Sequence, residues 1–114
     1  MRWLLHGPMT SAVADALRRH GHAVESIDPM PQTPEELLKT AQQKQLDVVT
    51  TDASVVAAAK KFDRSIVFLQ LAGSEIEQDD AIDRLFARYK RLSPGRIYTV
   101  TASRVKIRQI SSAR

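Results

Sequence analysis

The stretch LDVVTTDASVVAAAKKF, residues 46–62, determines how this chain is organised. Its apolar run over 46–49 predicts a buried strand, and the alanine- and valine-rich pattern from residue 54 predicts a helix. Thr50, Thr51 and Asp52 stand between them, where a parallel strand passes into a helix. Ligands and metals bind at this end of the strands in open α/β sheets. Asp52 is therefore either a metal ligand or the cap of the following helix, and one carboxylate could serve as both.

Strand-like and helix-like segments alternate through the rest of the chain. Strands are predicted over 2–6, 23–27, 47–51 and 65–70, with a hairpin over 97–101 and 104–110. Helices are predicted over 11–20, 33–44 and 54–62, and from residue 74 or 78 to the Pro94-Gly95 pair. This order predicts one α/β domain over residues 1–114, with a mainly parallel sheet, helices on both faces and a C-terminal antiparallel hairpin. We expect right-handed crossovers and strand 47–51 beside strand 2–6.

Several helix ends are indicated by single residues. Thr33 is a favourable N-cap, Pro34 suits the first helical position, and Glu36 completes a capping box with Thr33. Gly21 is expected to end the first helix in the left-handed conformation. Ser54 is read as the N-cap of helix 54–62.

Composition narrows the classes of function. The 114 residues contain no cysteine, so disulfides and thiolate metal sites are excluded, which suits a reducing cytoplasm. No signal peptide and no membrane span is indicated. Neither a glycine-rich phosphate loop nor a nucleophile elbow occurs, which argues against nucleoside-triphosphate and serine-hydrolase chemistry. The net charge of +4 favours a polyanionic partner such as RNA.

The positive charge is concentrated near the C-terminus, since no acidic residue follows Asp83. In the predicted strand 104–110, basic residues alternate with Val105 and Ile107, which are expected to be buried. A single-stranded RNA surface would use the basic residues of this strand and of the preceding helix and turn, namely Arg104, Lys106, Arg108, Arg88, Arg91 and Arg96. The alternative is a solvated edge strand whose cations discourage aggregation.

Acidic and histidine side chains follow the first three predicted strands: His6, Asp28 and Asp52. Glu35 and Glu36 open the helix between the second and third strands. Oxygen ligands suit magnesium, whereas a set of His6, Glu36 and Asp52 favours manganese, iron or zinc. The alternatives are a His6 hydrogen-bonded to a neighbouring carboxylate and a Glu36 that only caps its helix.

Other aromatic and histidine side chains have structural interpretations. Trp3 lies inside the first predicted strand and is expected in the core. His20 and His22 flank Gly21 and are read as a helix end and surface residues.

Taken in order, MRWLLHGPMTSAVADALRRHGHAV, TPEELLKTA, LDVVTTDASV, SIVFLQL and GRIYTVTASRVKIRQI resemble the short bacterial PIN-like proteins over nearly the whole chain. These are related to VapC-type toxin ribonucleases and to the Mut7-C ribonuclease domain. The resemblance implies a metal-dependent ribonuclease fold with acidic residues at the strand ends, and a catalytic set of Asp52, Glu36 and Glu35. It also implies Mg²⁺ or Mn²⁺ as cofactor, a cytoplasmic location, an antitoxin-like partner protein and a homodimer.

The sequence departs from this family at the acidic positions. His6 stands where the first strand normally ends in aspartate, and Ser54 replaces the second acid of a Thr-x-Asp-x-Asp-Phe pattern. Pro34 takes the place of an acid after the helix cap, although Glu35 and Glu36 follow. We therefore expect a decayed metal site in a module that binds RNA or a partner protein. The alternatives are an active endoribonuclease using His6, Glu36 and Asp52, and a structural oligomerisation domain.

Overall fold

The computed structural model describes residues 1–7, 11–27, 29–70, 75–102 and 104–110, and for residues 75–79 it describes the backbone alone. These residues form one α/β domain. In chain order the elements are β1 (Arg2–His6), α1 (Ser11–Arg19), β2 (Ala23–Glu25), α2 (Pro34–Gln43), β3 (Asp47–Thr50), α3 (Ala53–Ala58), β4 (Ile66–Leu69), α4 (Glu75–Arg88), β5 (Arg96–Val100) and β6 (Val105–Gln109). The predicted fold class is confirmed.

All six strands belong to one sheet, in the order β2-β1-β3-β4-β5-β6. The first five are parallel, and β6 pairs antiparallel with β5 as the predicted hairpin. Strand β1 lies between β2 and β3, with His6 directly opposite Thr50. The predictions that four strands are parallel and that β3 neighbours β1 are therefore confirmed.

Helix boundaries agree with the sequence patterns except at α3 and at the end of α4, which stops at Arg88 instead of at the Pro94-Gly95 pair. Thr33 caps α2, with Pro34 at the first helical position and the amide of Glu36 donating to Thr33 Oγ1. Gly21 has a φ of 82° and turns the chain after α1, as predicted. Helix α3 begins one residue early and ends at Ala58 instead of residue 62. Lys61 then adopts a left-handed conformation with a φ of 61°, and the next residue, Phe62, is buried.

Two apolar cores lie on opposite faces of the sheet, because successive strand side chains point to opposite sides. On the face covered by α1 and α4, Trp3, Val49, Val67 and Tyr98 pack against both helices. On the face covered by α2 and α3, the strands contribute Leu4, Val48, Ile66 and Ile97. Trp3 is fully buried, which confirms its predicted place in the core. No helix among the described residues is long and apolar enough to cross a bilayer.

Helix α4 lies on an unexpected side of the sheet. The β3–β4 and β4–β5 connections advance in the same direction, yet α3 packs on one face and α4 packs with α1 on the other. The β4–α4–β5 connection therefore has the opposite hand to the other three, contrary to the expectation that all crossovers share one hand. On this face the apolar side chains of β4 and β5 belong to the same buried cluster as those of α1 and α4.

Candidate functional site

The carboxyl ends of β1 and β3 form the candidate site. Strand β2 lies on one side of β1 and β3 on the other, so the chain reverses its direction across the sheet between β1 and β3. Sheets with this strand order bind ligands at that reversal point. The side chains at the two strand ends, His6 and Thr50, both point towards the α2/α3 face, by alternation from Leu4 and Val48.

His6 is half-buried and contacts a hydroxyl group. Its Nδ1 lies 3.1 Å from Thr50 Oγ1, and the same oxygen accepts a hydrogen bond from the Asp52 amide at 3.0 Å. The expected role as a hydrogen-bonded histidine at a strand end is confirmed, and its partner among the described residues is the Thr50 hydroxyl instead of a carboxylate. The register explains this result, because β1 and β3 place His6 directly opposite Thr50.

Asp52 is the N-cap of α3. Its Oδ1 accepts hydrogen bonds from the Ser54 amide at 2.9 Å and from the Ser54 hydroxyl at 2.7 Å. The hydroxyl bond and then the amide bond hold the pKa of Asp52 below its usual value, and nearby His6 has a smaller effect in the same direction. The capping interpretation of Asp52 is therefore confirmed. The assignment of the N-cap to Ser54 is wrong, since the helix begins one residue earlier and Ser54 donates to the cap.

Gly7 allows the chain to turn tightly beside this site, a role that the sequence did not reveal. Its φ is 92°, and the Thr51 amide donates to the carbonyl of the preceding His6 at 3.3 Å. A Cβ at Gly7 would collide with Thr51 Oγ1, which is buried and has no hydrogen-bond partner in the described chain. Glycine is therefore required here both by conformation and by space.

The predicted acidic residues do not assemble into a metal site. Nowhere in the described residues do three histidine, aspartate or glutamate side chains gather closely enough to hold an ion. Thus His6, Glu36 and Asp52 do not form the set proposed for manganese, iron or zinc, and Glu35 and Glu36 remain at the start of α2. Asp28 lies outside the described residues. Among the described donors, Asp52 Oδ1 caps a helix and His6 Nδ1 contacts Thr50, so both atoms are already used within the chain.

The predicted RNA-binding residues are divided between two faces. By alternation along the hairpin, Lys106 and Arg108 point to the α2/α3 face, whereas Arg96 points to the α1/α4 face. The other three basic residues are also exposed: Arg88, which lies over the Tyr89 ring, Arg91 and Arg104. The expectation for Ile107 is wrong, because β6 is an edge strand and leaves this side chain 39% exposed. Val105 does pack against the core.

Two features away from the strand ends were missed. The Trp3 indole donates to His22 Nδ1 at 3.0 Å, and the His22 ring lies 4.5 Å from Phe86. Burial lowers the pKa of His22, with smaller contributions in the same direction from the N-terminus and His20. His22 is therefore more than the surface residue that its position beside Gly21 suggested. The sequence does indicate that a buried Trp3 needs an acceptor for its indole N–H group. It does not indicate which residue supplies that acceptor.

Asp47 is the second missed feature, and it is the one charged side chain found buried among the described residues. It accepts hydrogen bonds from the Ser65 amide at 2.8 Å and from Arg64 at 3.2 Å. It lies at the start of β3, at the opposite end of the sheet from the candidate site. This placement and its satisfied bonds indicate a structural role in joining β3 to the start of β4.

Comparison with known proteins adds no family assignment. No family model matches this sequence, and no curated protein matches it significantly.

Proposed function

We propose that this chain is a PIN-like domain whose acidic site has lost its catalytic set and which binds RNA with little or no nuclease activity. The observation that carries the proposal is the use of Asp52 as a helix cap. Its Oδ1 accepts both bonds from Ser54, the residue that stands where the family has a second aspartate. Metal-dependent phosphodiester hydrolysis needs several carboxylates around its ions, and this strand end offers one.

The basic character of the chain supports the binding part of the proposal. The net charge is +4, and the six basic residues predicted for RNA contact are all solvent-accessible. Phosphate contacts made by such residues release condensed counterions, so binding should weaken as salt is raised.

The test of the proposal is a cleavage assay with single-stranded RNA in Mg²⁺ and in Mn²⁺. We expect the wild-type protein to cleave no faster than the Asp52→Asn variant, while both bind RNA. We also expect the double change His6→Asp with Ser54→Asp to raise divalent-ion affinity, measured by calorimetry, because it adds two carboxylates beside Asp52. A matched control with Asp15→Asn, an exposed residue on α1, should leave ion affinity unchanged.

One observation favours a second candidate, an active endoribonuclease. His6 and Asp52 lie close enough for the histidine to influence the pKa of the carboxyl group, and both bonds to Asp52 fall on Oδ1. Metal-dependent cleavage by the wild-type protein that disappears in Asp52→Asn and in His6→Ala would establish this activity and refute the proposed loss of catalysis.

A further inference from the structure

A groove on the α2/α3 face collects lysines from two elements. It lies between α2 and the turn that follows α3, and its volume is about 370 Å³. Lys39 projects from α2, and Lys60 and Lys61 come from the turn, while Leu38 and Phe62 contribute apolar surface. Glu35 is the one acidic residue in its lining.

A second, smaller cavity lies between the end of α3 and the edge of the sheet. Its volume is about 190 Å³, and it shares Lys60 with the first cavity. Arg108 from β6 lines it, above the buried side chains Ile97 and Ile110. We call Lys39, Lys60, Lys61 and Arg108, with the two cavities between them, the lysine groove. Four cations thus line two neighbouring cavities beside the end of α3, and Glu35 is the one acidic residue in either lining.

The cations of the lysine groove have no ion-pair partner among the described residues. Several arginines elsewhere form ion pairs with carboxylates, namely Arg2, Arg18, Arg19, Arg64 and Arg84. None of the four groove cations has an ion pair with any residue that the structure describes, and the same holds for exposed cations outside the groove such as Arg88 and Arg91. What distinguishes the groove is that its cations line adjoining cavities, where like charges repel one another and an incoming polyanion relieves the repulsion.

The backbone conformation of Lys61 shapes the turn that follows α3. Its φ of 61° places a non-glycine residue in the left-handed region, which costs about 1 kcal/mol relative to glycine. The two neighbouring residues consequently differ in exposure. Lys60 is exposed and lines both cavities, whereas Phe62 is buried and lines the first cavity. The turn therefore holds two consecutive lysines at the surface over an apolar anchor.

We propose that the lysine groove binds the phosphate backbone of single-stranded RNA. This inference rests on the proposed RNA-binding function and specifies its site. Of the six basic residues predicted to bind RNA, Arg108 alone belongs to this site. The other cations of the site are lysines from α2 and from the α3–β4 turn. A flexible single strand can follow a depression between a helix and a turn, whereas a stiff duplex cannot bend into it.

The lining of the groove predicts that RNA binding has little sequence specificity. Single-strand-binding proteins usually combine a basic groove with exposed aromatic rings on which bases stack. Here Phe62 is only 4% exposed, so its ring offers no stacking surface. Contacts confined to phosphates fix position without reading bases. We therefore expect oligo-U and oligo-A of equal length to bind with similar affinity.

The experiment measures the affinity of a fluorescently labelled twelve-nucleotide oligo-U at several salt concentrations. Four phosphate contacts predict a log–log slope of about −2.8 for the wild-type chain. The variant Lys39→Gln/Lys60→Gln/Lys61→Gln should flatten the slope to about −0.7 and weaken binding at least about tenfold at low salt. Arg108→Gln alone should flatten it by about 0.7. Circular dichroism and thermal unfolding verify that each variant remains folded.

The matched control is Arg18→Gln/Lys44→Gln/Lys90→Gln, which removes three charges from exposed residues outside both the groove and the predicted RNA-binding set. Unchanged binding by this control beside loss in the groove variant supports the proposal. Loss in the control with normal binding by the groove variant overturns the groove but leaves RNA binding intact. Equal losses overturn the groove as well, since net charge alone would then explain binding. Salt-independent or undetectable RNA binding by the wild-type chain, with binding of poly-glutamate instead, overturns both this site and the proposed function.

Discussion

Replacing Asp47 should destabilise the fold more than replacing any acidic residue on the surface. Its carboxylate is 1% exposed and accepts hydrogen bonds from the Ser65 amide and from Arg64. In Asp47→Ala the buried Ser65 amide is left without a partner, which costs about 1–3 kcal/mol. The lost charged bond to Arg64 adds about 1 kcal/mol, reduced because this guanidinium is 34% exposed and can be hydrated. We therefore expect a loss of about 3 kcal/mol in the free energy of unfolding.

The variant Asp47→Asn separates the two contributions. The amide oxygen of asparagine can still accept from Ser65, so this change should cost only about 1–2 kcal/mol, mainly from the Arg64 bond. The matched control is Asp80→Ala, which breaks an exposed helical pair with Arg84 and should cost at most about 0.5 kcal/mol.

Urea unfolding measures these differences, with Trp3 fluorescence as the probe because it is the single tryptophan. Circular dichroism at 222 nm gives an independent transition, and coincident curves justify a two-state treatment. The reasoning fails if Asp47→Ala unfolds within about 0.5 kcal/mol of Asp80→Ala. It also fails if Asp47→Asn costs as much as Asp47→Ala, since the ion pair and not the Ser65 bond would then dominate.

Three further predictions follow from particular contacts. Gly7→Ala should lower the free energy of unfolding by at least about 2 kcal/mol in urea titration, through its positive φ and the collision with Thr51, and Thr51→Ser should not relieve it. Burial lowers the pKa of His22, so the unfolded chain binds more protons than the folded chain below pH 6.5. The contribution of neutral His22 to stability is therefore complete above pH 6.5 and is lost as the pH falls. Urea unfolding between pH 8 and pH 5 should therefore lose less stability in His22→Gln than in the wild type, and equal losses would contradict the Trp3–His22 bond. Ile107→Thr should change the free energy of unfolding by less than about 0.5 kcal/mol, since its side chain is 39% exposed, and a larger loss would show that it is buried in solution.

The sequence by itself determined the order and type of the elements. Alternating apolar strands and amphipathic helices produced the α/β fold, and Thr33 and Gly21 marked helix ends, because caps and turns depend on a few adjacent residues. The neighbouring positions of β1 and β3 also followed from connection lengths and sheet rules. For Asp52 the sequence left a helix cap and a metal ligand as alternatives, and the structure shows the cap, with Ser54 two residues away as its partner.

Only the tertiary structure decided the contacts between distant residues. His22 receives its hydrogen bond from Trp3, which is 19 residues away in the chain, and Lys60 and Arg108 line one cavity on the α2/α3 face. The helical pattern of α4 did not determine which face of the sheet the helix covers. An amphipathic pattern indicates how much apolar surface a helix buries, but not which surface it packs against. Local pattern fixes each element through short-range hydrogen bonds and backbone preferences, whereas side-chain partners far apart in the chain depend on strand order, register and the hand of each connection.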